Sequence, residues 1–466
     1  MSTQHDFGLV GLGVMGRNFI LNVADHGFSS MGLDTDPEKV SALKEEGSEV
    51  RVDGTNDAAT FVSALKTPRK IMLLVPAGKP VDYVIETLLP HLEEGDILID
   101  GGNSFYEDTE RRITYLEEKG MNFFGAGVSG GAKGARRGPS IMPGGSEQAY
   151  EHVKTIFEAA SAKVNGEPCV AYMGRGSAGN YVKMVHNGIE YGLMQLISEI
   201  YDVAKKGAGY SNEKLATLFD TWNKGALQSF LVEITAEIFT KKDELTGKDL
   251  VDVILDKAKQ KGTGKWTSQN AMDLGIPVPT IDSAVTMREI SSMKDYRVEA
   301  DKVYHTASIG QDKPDPKTLE NALYFAFIVT YAQGMSQLAA ADKEYNYNLN
   351  METIAKIWRG GCIIRAALLE DIRKAYDTTP DLHNLMLDPD FVKTLKTIEG
   401  DARIVVQFAV GSGIPVAGLS SAIAYFDSFR SGNLPLNLIQ AQRDHFGSHT
   451  YERTDREGIF HTEWER

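Results

Sequence analysis

Cysteine is almost missing from this chain: Cys169 and Cys362 are the only two in 466 residues. Neither stands at metal-ligand spacing, so no metal site is expected and a reducing, cytoplasmic compartment is. Positive charge is in deficit too, with 49 Lys and Arg against 64 Asp and Glu and a formal net charge of −15. That balance argues against nucleic acid or an anionic membrane as partner, yet leaves room for a local cationic pocket that takes a small anion. Long unbroken apolar runs are lacking as well. Residues 8–24 come nearest, but Arg17 and Asn18 interrupt them and no basic segment precedes them, which argues against a membrane span or a signal peptide. What remains is an ordinary globular composition, 42% apolar and 24% charged, long enough for two or three domains.

The same apolar run holds a glycine signature. Phe7-Gly-Leu-Val-Gly11-Leu12-Gly13-Val14-Met15-Gly16 reads as a short strand entering G-x-G-x-x-G, with a helix from Arg17. Gly11 permits the tight turn, Gly13 lets the backbone approach a pyrophosphate, and Gly16 lets the helix pack on the strand. The phosphates would sit at the helix N-terminus, where unpaired N–H groups favour an anion. A second strand at 29–33 ends at Asp34, 34 − 11 = 23 residues after the first glycine. That is near the ~20 expected for the acid that bonds the adenosine ribose hydroxyls. A carboxylate there repels a 2′-phosphate, Asp36 adds to the repulsion, and neither Thr35 nor Pro37 supplies a cation. These residues predict NAD over NADP.

Further strands at 70–75, 96–100 and 122–128 end in Val75-Pro76-Ala77-Gly78, Gly101-Gly-Asn103-Ser104 and Ser129-Gly130-Gly131. Their continuous apolar runs suit a parallel sheet covered on both faces, with the strand-end loops lining a ligand cleft. Strands at 140–142 and 169–173 complete this domain near residue 178.

The segment Lys183-Met-Val-His186-Asn187-Gly-Ile-Glu190-Tyr191 carries the densest chemistry. On a helix, Lys183, His186, Asn187, Glu190 and Tyr191 stand at i, i+3, i+4, i+7 and i+8, within one face. That face pairs a potential base with a potential acid, while Val182, Val185 and Ile189 point into a core. Gly188 and Gly192 each cost roughly 1 kcal/mol relative to Ala, which makes sense where another backbone or a ligand comes close. Helical patterns continue to about residue 430. Leu215, Leu218, Trp222 and Gly225 fall on Met351, Ile354, Trp358 and Gly361 at an offset of 358 − 222 = 136, suggesting an internal duplication. Met194, Tyr201, Phe327 and Tyr331 are expected in the core.

Gln260-Lys261-Gly262-Thr263-Gly264-Lys265-Trp266 places lysines in a glycine-rich loop fit for an anion, without the spacing of a nucleoside triphosphatase loop. Arg288 follows a helical stretch. Residues 435–451 are apolar and aromatic enough to dock on something, and carry Arg443 and His449.

Taken in order, these motifs, together with Ile99-Asp-Gly-Gly-Asn103-Ser104 and Gln442-Arg443-Asp-His-Phe-Gly-Ser-His449, resemble the decarboxylating 6-phosphogluconate dehydrogenases from end to end. The resemblance implies an α/β Rossmann-like N-terminal domain (1–178), a large all-α domain with internal duplication (179–434), and a short C-terminal tail (435–466). It implies a homodimer whose tails cross to the partner's active site. It further implies that Asn103, Ser129, Gly130, Gly131, His186, Asn187, Tyr191, Lys261, Thr263 and Arg288 contact 6-phosphogluconate, with Arg443 and His449 arriving from the second subunit. The glycine turn from Gly11 to Gly16, the Asp34-Thr35-Asp36 segment, Val75-Pro76-Ala77 and Asn103 would hold the dinucleotide. Members using NADP typically read Asn-Arg-Thr where this chain has Asp34-Thr35-Asp36, and lysine where it has Pro76. The resemblance alone predicts NADP; the residues predict NAD.

The chemistry implied is oxidation at C3 with hydride passing to nicotinamide, followed by loss of C1 as CO2. Lys183, when neutral, takes the C3 hydroxyl proton, then donates to the developing oxyanion, so that no metal is needed as electron sink. Glu190, kept protonated, delivers a proton to the former C2. A non-decarboxylating β-hydroxyacid dehydrogenase would share the N-terminal part and the lysine helix but not the tail motif. A protein that kept the fold and lost catalysis would give no absorbance change at 340 nm.

Overall fold

The computed structural model describes residues 4–304 and 312–464. Short runs of fully buried side chains alternate with helices through the first third of the chain. The strands are β1 (Phe7–Val10), β2 (Ser30–Leu33), β3 (Val52–Thr55), β4 (Lys70–Leu73), β5 (Ile97–Asp100), β6 (Asn122–Ser129) and β7 (Ser140–Gly144). They form one seven-stranded sheet of order β3-β2-β1-β4-β5-β6-β7. β1 to β6 are parallel and β7 runs antiparallel to β6. Every residue of β1, β2 and β5 is buried, as strands covered on both faces require. Strand order reverses between β1 and β4, which opens a crevice at their carboxyl ends.

The strand expected at 169–173 does not form. This segment follows β7 through a single bridge, Ile141 to Val170, flanked by the Ile141 N–H to Cys169 and the Met173 N–H to the Pro143 carbonyl. Pro143 has no N–H to return, so the ladder stops there.

The helices that shape the site and its frame are α1 (Val14–Asp25), α2 (Pro37–Glu46), α3 (Ala178–Asp202), α4 (Asn212–Trp222), α5 (Phe230–Thr240), α6 (Thr263–Asp273), α7 (Pro279–Ser292), α8 (Pro316–Tyr345), α9 (Met351–Trp358), α10 (Leu368–Thr378), α11 (Pro389–Gly411), α12 (Ala417–Phe429) and α13 (Leu436–Gly447). Two apolar clusters cover the sheet, and a third runs through the helical part. Among the described residues no helix is long and apolar enough to cross a membrane.

The packing of ten helices agrees with the duplication that four residues suggest. α3 to α7 and α8 to α12 follow one another in the same order, and α6 and α7 pack on α3 as α11 and α12 pack on α8. The loops after α4 and α9 meet in an antiparallel bridge, where the Phe230 N–H donates to the Arg365 carbonyl and the Ala367 N–H to that of Gln228.

Glycines decide how the two parts join. α3 lies against β6 and β7. A Cβ on Gly127 would run into the Lys183 side chain, and one on Gly144 into the backbone at Gly179. Absence of those side chains lets α3 lie on the sheet, with Lys183 beside the end of β6.

Candidate active site

The crevice side is built first by backbone. Gly11 has φ +96°, and a Cβ there would lie 2.6 Å from the Leu74 carbonyl oxygen; one on Gly16 would strike the Gly11 carbonyl. Gly13 caps α1 with no side-chain hydrogen bond and no acid in the first turn, and the space around it is open. Val14 is exposed and Leu12 is core, so Leu12 contributes only backbone to this turn. An uncapped helix start with an open glycine fits a pyrophosphate.

Asp34, at the end of β2, closes this turn. Its Oδ2 accepts the Leu12 N–H at 2.7 Å and its Oδ1 the Asp36 N–H at 3.0 Å. Thr35 beside it is exposed. Thr35 and Pro37 supply no cation, but Lys39, on α2, places Nζ 3.6 Å from Asp34 and 3.7 Å from Asp36. Sequence gave little warning, because only the fold of α2 back over the end of β2 brings Lys39 to both acids.

Val75, Pro76 and Ala77 line a cavity of about 580 Å³ with Met15, Gly102 and Asn103. Asn103 is presented by Asp100, whose carboxylate folds the turn by accepting the Gly102 N–H at 3.0 Å and the Ser104 hydroxyl at 2.6 Å. Met15, Asn103, Val128 and Lys261 also line a second cavity of about 430 Å³, so the two adjoin.

That second cavity gathers most of the residues expected to bind substrate. Lys183, Asn187, Glu190 and Tyr191 enter it from α3. Asn103 and the Ser129-Gly130-Gly131 turn come from the strand ends, with the Asn187 amide 3.5 Å from Asn103 Oδ1. Lys261 and Thr263 arrive around the start of α6, where Gly262 takes φ +99° to turn the chain into the helix. Arg288 comes from α7 with its guanidinium 3.5 Å over the Tyr191 ring; it is 9% exposed and no surface charge.

His186 is fully buried and lies behind the cavity wall. Its ring approaches Ser129 Oγ at 3.3 Å through Nε2, and Asn187 Oδ1 at 3.1 Å and Lys183 Nζ at 3.4 Å through Nδ1. A proton on Nδ1, donated to Asn187, with Nε2 accepting the Ser129 hydroxyl, satisfies both ring nitrogens. Arg443 and His449 lie on the exposed tail, and one chain by itself does not bring them to the cavity.

Val128, Met194, Lys259, Gln260 and Ile363 line the cavity without being among the residues expected there. Met194, expected in the core, is 42% exposed and touches Arg288 through sulfur. Ile363 enters from the loop after α9, its N–H donating to Ser129 Oγ at 3.4 Å, an approach that depends on how the second repeat docks. Lys259 had a legible signal, the alternation Lys257-Ala-Lys259-Gln-Lys261 in an acidic chain.

Electrostatics separate the two ionisable groups of α3. Burial depresses the Lys183 amine below the ordinary lysine range, against the opposing pull of Glu190. Burial raises the Glu190 carboxyl, opposed by Lys183 and Arg288. Burial also holds His186 well below its usual range, with Lys183 adding to the effect. Burial thus shifts the amine, the imidazole and the carboxyl each toward its neutral form, the direction that a base and an acid on one face require.

Comparison with known proteins agrees from end to end. Residues 6–174 match the NAD binding domain of 6-phosphogluconate dehydrogenase, and residues 179–464 the 6-phosphogluconate dehydrogenase C-terminal domain. A Bacillus subtilis protein described as 6-phosphogluconate dehydrogenase, NADP(+)-dependent, decarboxylating, is 54% identical over 99% of each chain. The decarboxylating 6-phosphogluconate dehydrogenase of Escherichia coli is 51% identical over the same share. The Plasmodium falciparum 6-phosphogluconate dehydrogenase, solved in apo form and with NADP+ and with 6-phosphogluconate, superposes with a TM-score of 0.95 at 48% identity, covering 98% of this chain and 100% of that one.

Proposed function

The chain belongs to the decarboxylating 6-phosphogluconate dehydrogenase family, and from that premise we propose that it converts 6-phosphogluconate to ribulose 5-phosphate and CO2 with NAD as preferred oxidant, Lys183 as base and Glu190 as acid. The observation that carries the reading is the pair itself. Lys183 and Glu190 enter one cavity from one helix face, perturbed in opposite directions, beside a cavity fit for nicotinamide.

Bound nicotinamide supplies the acceptor for the C3 hydride. Lys183, shifted toward its neutral form by burial, takes the C3 hydroxyl proton. The resulting ketone lies β to the C1 carboxylate, so C1 leaves as CO2 and its bonding electrons pass into a C2–C3 enediol. Protonated Lys183 hydrogen-bonds the C3 oxygen as charge gathers there. Glu190 gives its proton to the former C2, which becomes C1 of ribulose 5-phosphate. Lys261, Thr263 and Arg288 receive the substrate phosphate. The tail (435–466) of a second copy adds Arg443 and His449, so the working unit is a homodimer of chains divided at 178 and 434.

NAD preference rests on charge at the ribose edge. Family habit points the other way: the Bacillus subtilis protein is named as NADP-dependent, and the Plasmodium falciparum enzyme was solved with NADP+. Asp34 and Asp36 present two carboxylates there against one ammonium, Lys39. One uncompensated negative charge roughly 5 Å from a 2′-phosphate costs about 3 kcal/mol at an effective dielectric of about 20.

The test of the reaction is turnover of 6-phosphogluconate with equimolar CO2 and reduced dinucleotide. Lys183→Ala is expected to retain dinucleotide binding and to lose turnover by a factor on the order of 10³. Substantial turnover in that variant would take Lys183 out of the base role.

A further inference from the structure

The tail presents its apolar side chains outward: Phe446 is 73% exposed, and Leu436, Leu438 and Ile459 stand out likewise. Inside this exposed segment one carboxylate, Asp444, is completely buried. It accepts four hydrogen bonds from positions far along the tail. Oδ1 takes the Thr450 N–H at 3.0 Å and His461 Nδ1 at 2.8 Å; Oδ2 takes the Thr462 N–H at 3.0 Å and Trp464 Nε1 at 2.9 Å. The bonds draw the end of α13, the loop after it and the terminal hairpin of Tyr451–Glu452 with Ile459–Phe460 onto one point.

The loop so held is a costly one. His449 is flanked by two left-handed residues that are not glycine, Ser448 at φ 49° and Thr450 at φ 60°. A β-branched residue in that region is a rare conformation, which persists only where its surroundings hold it. Asp444 grips both flanks: its own carbonyl accepts the Ser448 N–H at 2.9 Å while its side chain holds the Thr450 N–H. Gln440 completes the clasp from the preceding turn. Its Nε2 donates to the Thr450 carbonyl at 2.5 Å and its Oε1 accepts Arg443 at 3.2 Å. Gly447 belongs to the same arrangement, since a Cβ there would lie 2.7 Å from His449 Nε2.

We propose that Asp444 is a positioning residue for substrate binding: it fixes the strained turn that presents His449, and through α13 and Gln440 the Arg443 guanidinium, to the phosphate end of the substrate in the partner's site. This rests on the reading that the tail crosses between subunits. A tail with a rigid internal hub presents both groups already ordered, so binding need not supply the ordering entropy.

The test compares full-length Asp444→Asn, Arg443→Ala and the double variant, with 6-phosphogluconate varied at saturating NAD and the dimer followed by light scattering. Asp444→Asn keeps the shape but turns one acceptor oxygen into a donor facing N–H groups. The expected result is a KM for 6-phosphogluconate raised about tenfold or more, kcat changed far less, and an intact dimer. The double variant is expected to raise KM less than the product of the two single effects, because Asp444 acts partly through Arg443. Trp464→Phe, which removes one of the four donors, is expected to move KM only slightly and in the same direction. An unchanged KM in Asp444→Asn, multiplicative effects in the double variant, or dissociation to monomers would each overturn the positioning role. If Arg443→Ala itself leaves KM unchanged, the crossing of the tail is what fails.

Discussion

At the scale of single residues, the roles proposed for Lys183 and Glu190 rest on burial, which moves the two groups in opposite directions. The proposed roles need Lys183 without its proton and Glu190 with it, so kcat/KM is expected to rise with pH through the first and fall through the second. The depressed lysine puts the acid limb below the range of a free lysine, and the raised carboxyl puts the alkaline limb above that of a free carboxylate. Each group feels the other, so the two limbs belong to the pair. Glu190→Gln is expected to flatten the alkaline limb and lower kcat by about 10²–10⁴; an alkaline limb left unchanged in its pH–rate profile would take Glu190 out of the acid role. The ribose edge gives a second residue-scale prediction. Asp36→Ala removes one of the two acids that hold Lys39 and is expected to raise kcat/KM for NADP by about tenfold, the size of a partly screened charge pair. Adding Lys39→Ala should cancel the gain, and a gain that survives it would show Lys39 to be a bystander.

At the scale of elements, the site depends on how closely helices approach α3. The sequence reading anticipated a backbone or ligand at Gly188 and Gly192; what comes instead are the side chains of Thr267 from α6 and Thr330 from α8. Gly264 works from the other side, since a Cβ there would collide with the Tyr191 ring on which Arg288 rests. Gly264→Ala is therefore expected to cost about 1–3 kcal/mol of stability by overpacking and to raise KM for 6-phosphogluconate. Gly400, inside α11 with nothing near its missing Cβ, supplies the contrast: Gly400→Ala should raise the thermal midpoint, by up to about 1 kcal/mol in stability, with kinetics unchanged. Thermal melts and steady-state rates on the two variants check both expectations. The periodicity of the Lys183 face was legible because helix geometry alone puts those residues together. Lys39, Ile363 and the withdrawn position of His186 were not, because each depends on which element docks where.

At the scale of the whole molecule, the two helical copies have parted in role. The first carries Lys183 and Glu190 on α3. The second sends Trp358 against the back of His186, with ring centroids 5.5 Å apart, and Ile363 into the cavity. Its Gly361 carbonyl accepts the Ser140 N–H at 2.8 Å, which pins the second copy to β7. Four matched residues hinted at this duplication, yet the hint said nothing of which copy would be catalytic. The sheet was readable from its glycine turns and apolar runs, apart from β3, whose Val-Asp-Gly-Thr carries no such run, and the segment at 169–173, where Pro143 ends the pairing. The tail's density of aromatic residues raised the expectation that it docks on something, whereas the buried hub at Asp444 emerges only once four distant donors meet.

The central claim is that this member of the family serves NAD, and side-by-side initial rates test it most directly. With 6-phosphogluconate saturating and each dinucleotide varied, kcat/KM for NAD should exceed that for NADP by about a hundredfold or more, the size expected of one uncompensated charge. An equal or higher value for NADP would contradict the account.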